Sequence, residues 1–149
     1  MVAKEYCTSN LEFHGENKKI WQTIQKHYSY FYDHDIPVDF VSPEDDFSKY
    51  DLLIDLLRFL MGKSYLEKIN NYVKNGGQIV GIYISGVVDE TDLAYMNEWP
   101  KELQEIYGLE PLETDVLDPG QSNLINFEGK EYPVHDYCET LINCTGKVL

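Results

Sequence analysis

Residues 17–32 place Ile20, Trp21, Ile24, Tyr28, Phe31 and Tyr32 at helical spacing, with Lys18, Lys19, Gln22, Gln25 and Lys26 between them. Apolar residues recurring every three to four positions predict an amphipathic helix with its aromatic stripe against a core. Asp33, His34 and Asp35 break the pattern. Residues 36–41 then read as a short strand, with Pro37 near its start where a missing N–H is tolerated. Residues 42–46 carry the composition of a loop. Residues 50–57 form a compact apolar run of Leu52, Leu53, Ile54, Leu56 and Leu57, which predicts a strand buried on both faces; Asp55 is the one residue at odds with it.

Ser64 and Glu67 have capping-box spacing, and Tyr65, Leu66, Ile69, Tyr72 and Val73 make one apolar stripe that Asn75, Gly76 and Gly77 bring to a stop. Ile79, Val80, Ile82, Tyr83 and Ile84 follow as a strand. Strand, helix and strand in this order predict a crossover and parallel pairing, hence an α/β class. Trp99 and Pro100 open a short helix with Leu103, Ile106 and Tyr107 apolar and Gly108 as its stop. Residues 109–117 alternate as a strand, and 124–127 with 132–134 flank Glu128 and Gly129 as a hairpin. Tyr137, Leu141 and Ile142 predict a helix over 137–143. Residues 146–149 resemble the opening of another strand, and an end on apolar residues reads as an excision rather than a natural terminus.

The 149 residues hold 12 Lys plus Arg against 26 Asp plus Glu, a net charge of −14. That balance excludes the basic footprint needed for nucleic acid or anionic lipid. With 43% hydrophobic and 13% aromatic residues, the chain is expected to bury a core as one domain over residues 1–149. A complete (β/α)₈ barrel needs about 250 residues and does not fit. No apolar run approaches the roughly 20 residues of a membrane span, and residues 1–10 lack a secretory layout, so a cytoplasmic protein is expected. Cys7, Cys138 and Cys144 are too few for a disulfide scaffold and read as free thiols.

Few residues stand in a pattern that carries chemistry. Twenty-six carboxylates produce close pairs by accident, and solvated surface is the preferred reading. Asp33, His34 and Asp35 with His27, or His135 and Asp136 near Cys138, offer metal-ligand atoms without a recognised spacing. Ser85-Gly86 follows a buried strand, where a nucleophile often sits, but lacks the G-x-S-x-G pattern. Cys138 beside His135 and Glu139 is placed in a late helix. The aromatic run Tyr28, Tyr30, Phe31 and Tyr32 is assigned to core packing rather than to sugar stacking. No catalytic residue, cofactor site or metal site is therefore assigned.

Taken together, several segments resemble a known family. They are Ile36-Pro37-Val38-Asp39-Phe40-Val41-Ser42-Pro43, Tyr72-Val73-Lys74-Asn75-Gly76-Gly77-Gln78 and above all Ser85-Gly86-Val87-Val88-Asp89-Glu90-Thr91-Asp92. Tyr107-Gly108-Leu109 followed by Glu113-Thr114-Asp115 fits the later part. The pattern is similar to the trimerisation domain of bacterial β-galactosidases of glycoside hydrolase family 42. The resemblance implies a flavodoxin-like three-layer sandwich with a mostly parallel sheet, similar to class I glutamine amidotransferases. It also implies a non-catalytic role: the domain holds a homotrimer together beside the barrel of a parent enzyme that hydrolyses terminal β-D-galactosides. The barrel and a second and third copy of the chain would be its partners, and the catalytic glutamates would lie outside it. Oligomer contacts favour apolar surface inside a polar rim. The candidate interface, or loop facing a neighbouring active site, is therefore Ser85, Gly86, Val87, Val88, Asp89, Glu90, Asp92 and Trp99. A stand-alone small-molecule enzyme or ligand module of the same architecture is the alternative.

Overall fold

A computed structural model describes residues 20–147; residues 17–19, Cys7 and the last two residues of the 146–149 run lie outside the described residues. The elements in chain order are α1 (Ile20–Asp33), β1 (Leu52–Asp55), α2 (Lys63–Lys74), β2 (Gln78–Gly81), α3 (Lys101–Tyr107), β3 (Glu110–Val116), β4 (Asn123–Phe127), β5 (Lys130–Val134) and β6 (Tyr137–Ile142).

The β1–α2–β2 unit forms with the predicted parallel pairing, Leu53 opposite Ile79, but each strand is four residues long, so Leu56 and Leu57 of the first apolar run and Ile82, Tyr83 and Ile84 of the second lie beyond the strands. Leu53 joins the main core with Phe47, Met61, Tyr65, Leu66, Ile69, Tyr72, Trp99 and Leu103. Ile54 and Leu56 point into a second cluster with Ile24, Tyr28 and Phe31 of α1. Strand β1 is thus covered by helices on both faces, which is why it reads as a continuous apolar run. Phe47 sits between the rings of Tyr65 and Tyr72, and Lys68 lies over its face while donating to the Pro43 and Asp45 carbonyls. The 42–46 loop is thereby strapped onto α2.

The mostly parallel, flavodoxin-like sheet is overturned. Among the described residues there are three two-stranded sheets, and β3 with β6 and β4 with β5 are both antiparallel. The cause is visible at β6. The pattern over 137–143 predicts a helix, but the backbone of Tyr137–Ile142 pairs along β3 from Glu110 opposite Ile142 to Val116 opposite Tyr137. A six-residue segment with apolar residues at 137, 138, 141 and 142 suits either state, and an available strand partner decides it. From Glu110 to Ile142 the chain therefore nests the antiparallel pair β4–β5 between the two strands of the antiparallel pair β3–β6, with no further crossover.

Three local expectations also change. Residues 36–41 form no extended strand; only Val41 makes a bridge. The Ser64–Glu67 capping box is not realised: Gly62 is the N-cap of α2 and no side chain caps it, so Ser64 already lies inside the helix. On α1, Trp21, Tyr30 and Tyr32 are exposed, Trp21 by 73%. A two-stranded floor takes only Ile24, Tyr28 and Phe31 of the stripe.

Candidate functional site

The loop after β2 is built by the loop after β1. Gly86 N–H donates to the Arg58 carbonyl, Val87 N–H to Phe59, and Met61 N–H to Val88. Leu60 and Val88 form a parallel bridge, and Val88 forms an antiparallel one with Ala94. Ile84, in the left-handed region at φ 56°, donates its N–H to Glu139 Oε1 at 2.8 Å. The Tyr83 ring stacks on Tyr137 with centroids 5.2 Å apart. Two side chains of β6 thus fix the turn that leaves β2. Burial pushes the Glu139 carboxyl above its ordinary value, against the pull of the Ile84 N–H.

The eight candidate residues divide by burial. Ser85 is 1% exposed, and its hydroxyl donates to the Ile82 carbonyl at 2.7 Å. Gly86, Val88 and Trp99 are also buried, Trp99 against the Tyr107 ring. These four carry the loop from within. Val87 and Asp89 are half-buried, and Glu90 and Asp92 face solvent. The apolar surface of this segment lies at positions not singled out from the sequence: Leu93 is 68% exposed and Met96 98%. Tyr95 between them is turned inward, its hydroxyl donating to the Met61 carbonyl at 2.8 Å.

Asp89 organises the tip. Its Oδ1 accepts from the Thr91 N–H, the Thr91 hydroxyl and the Leu93 N–H. The Thr91 hydroxyl, followed by the Thr91 N–H, holds this carboxyl below the ordinary 3.8. A carboxyl with a depressed folded value stabilises the loop above its unfolded value, and that contribution is lost as pH falls through the folded value. Amide hydrogen exchange at Thr91 and Leu93 should therefore accelerate, relative to the core amides, as pH drops below 3.8. In Asp89→Asn, which keeps an acceptor oxygen but does not titrate, that acid-dependent step should vanish; its persistence would refute the assignment.

Elsewhere the titratable candidates are dispersed. His135 Nδ1 lies against the Gln121 carbonyl at 3.1 Å, while Cys138, on a strand rather than a helix, accepts from Asn123 Nδ2. Nδ1 of His27 and of His34 lies against the carbonyl one turn back on α1. Among the described residues no group of three or more His, Cys, Asp or Glu is placed to hold a metal ion, and no helix is long and apolar enough to cross a membrane. Cys138 and Cys144 are free thiols.

The buried polar feature that sequence reading left unexplained is Asp55. The carboxylate is fully buried and accepts from Arg58 Nε at 2.9 Å and from the Tyr65 hydroxyl at 3.0 Å, while the guanidinium lies 4.2 Å from the Tyr65 ring centroid. Burial raises the Asp55 carboxyl against the pull of Arg58. Burial also works against the Arg58 cation, but Asp55 and Tyr65 outweigh it and its value rises. The three groups bond to one another through the Asp55 carboxylate, and among the described residues no buried side-chain nitrogen or oxygen lacks a partner, the pattern of a structural triad.

Among the described residues these features define a small domain in which every buried side-chain nitrogen and oxygen has a partner and in which several large apolar side chains lie on the surface in addition to the core, as in an interaction module. A family model, the β-galactosidase trimerisation domain, matches residues 4–149, and the chain belongs to that family.

β-Galactosidase GalA of Bacillus licheniformis is 42% identical over 129 residues, which is 87% of this chain and 19% of that protein. GanA of Bacillus subtilis is 41% identical over the same length. The solved structure of Gan42B, a family 42 β-galactosidase from G. stearothermophilus, superposes with a TM-score of 0.87 at 39% identity, over 95% of this chain and 20% of that one. The β-galactosidase of Bacillus circulans sp. alkalophilus superposes with a TM-score of 0.84 at 28% identity, over 91% of this chain and 21% of that one. The chain spans about a fifth of the length of these relatives.

Proposed function

We propose that this domain joins three copies of a longer cytoplasmic β-galactosidase, a hydrolase of terminal β-D-galactosides. Its catalytic acid and nucleophile would lie in a barrel outside these 149 residues. The family membership supports the trimerising role, and the relatives' fivefold greater length supports a separate catalytic part. The observation that carries the reading is the distribution of apolar groups. Trp21, Tyr30, Tyr32, Leu93, Met96, Leu124 and Ile125 are all more than half exposed, on a chain whose net charge of −14 would otherwise keep copies apart. Surfaces of this kind are covered in assemblies.

Light scattering during size-exclusion chromatography is the test. The expected molar mass rises with concentration towards three times 17.4 kDa. A strict monomer would reject trimerisation by this domain. The purified chain should also leave aryl β-galactosides intact, and turnover proportional to its concentration would favour a stand-alone enzyme instead.

A further inference from the structure

The β4–β5 hairpin presents an apolar face to solvent. Its turn is set by Glu128 and Gly129, both at positive φ (51° and 76°), the conformation of a type I′ connection that suits twisted strands. Ile125 pairs with Tyr132 and Phe127 with Lys130. Because side chains alternate across a strand, these four share one face with Asn123 and Val134, while Leu124, Asn126, Glu131 and Pro133 share the other. The first face therefore carries one cation, Lys130, set over the Tyr132 ring at 5.0 Å, and no carboxylate. Every residue of both strands except Val134 is exposed. A two-stranded hairpin is marginal in water unless something packs on it.

A second apolar surface of opposite character lies on the same chain. Leu93 and Met96 project from a loop whose exposed charges are Glu90, Asp92 and Glu98. A ring of three identical subunits needs a heterologous contact, in which one patch meets a different patch of the next copy. Resting on the trimeric reading above, we propose that the Ile125/Phe127/Tyr132 face of the hairpin docks onto Leu93 and Met96 of a neighbouring copy, with Lys130 set among that loop's acids. The occupant of the hairpin face is thus a second copy of this chain. The apolar groups supply the attraction, and the charges fix which patch meets which.

The test uses two exposed substitutions, Ile125→Glu on the hairpin and Leu93→Glu on the loop, each first checked for an unchanged cooperative melt. Lys130→Glu and Asp92→Lys serve as the second pair should either variant fail that check. Light scattering should show the unsubstituted chain at three chain masses and each variant at one. An equimolar mixture should then reach two chain masses, because the intact hairpin of one variant meets the intact loop of the other and the ring cannot close. A wild-type trimer whose variants remain trimers would overturn the docking surface while leaving trimerisation standing. Variants that dissociate but fail to dimerise when mixed would overturn the pairing of these two patches. A wild-type chain that stays monomeric would overturn both the docking surface and the trimeric reading.

Discussion

Replacing Arg58 by Met should lower the unfolding free energy by about 3–5 kcal/mol, because removal of one partner leaves an uncompensated charge in the interior. Asp55 would keep only the Tyr65 hydroxyl, from the first turn of α2. On a chain of this size the melting temperature should fall on the order of 10 °C. The loss should also depend on pH. Burial already raises the Asp55 carboxyl, and removing the cation raises it further. A group with a raised folded value contributes stability below its unfolded value and loses it as pH rises through the folded value. Urea titrations should therefore find Arg58→Met closest to wild type below the ordinary carboxyl value of 3.8 and progressively further from it as pH rises. The double substitution Asp55→Leu with Arg58→Met should recover most of the loss, since an apolar pair of similar volume removes the buried charge. A pH-independent loss of less than about 1 kcal/mol, the scale of an exposed ion pair, would show that the pair is not the buried unit described.

A comparable loss is expected at Gly86. It sits at φ +68°, and a Cβ there would stand 2.9 Å from Leu103 Cδ2 and 3.1 Å from Pro100 Cδ. Left-handed backbone costs a non-glycine residue about 1–2 kcal/mol, and overpacking a core adds about 1–3 kcal/mol. Gly86→Ala should thus be destabilised by about 2–5 kcal/mol in chemical denaturation. Gly120, at φ +90° with nothing within 4 Å of its Cβ position, isolates the backbone contribution. Gly120→Ala should lose only about 1–2 kcal/mol, and equal losses at the two sites would remove crowding from the explanation. Gly86 N–H also donates to the Arg58 carbonyl, so the two substitutions act on the same junction of loops, and their effects should be non-additive.

The loop carrying the family resemblance was legible as a segment but not as a surface. Ser85, Gly86, Val88 and Trp99 stand out as letters and prove to be the buried supports, whereas Leu93 and Met96 hold the exposed apolar surface. Whether an apolar residue points in or out is set by what the neighbouring loop occupies, here residues 58–61, and no local spacing encodes that. The exposed aromatics of α1 follow the same logic. A helical stripe predicts a covered face, and the width of the covering sheet decides how much of it is covered.

Local pattern alone determined the three helices, the parallel β1–β2 pair joined through α2, the stops at Gly76 and Gly108 and the turn at Glu128-Gly129. These depend on periodicity and on the conformations glycine permits, which act within a few residues. The residue pattern also carried the family. Tertiary structure decided that Tyr137–Ile142 is a strand and that β3–β6 is an antiparallel ribbon rather than part of a parallel sheet. It likewise decided that Asp55 is an ion-paired core residue. Each of those outcomes rests on a partner distant in the fold or in a neighbouring loop: a backbone edge in need of hydrogen bonds, or a cation and a hydroxyl brought to one buried carboxylate.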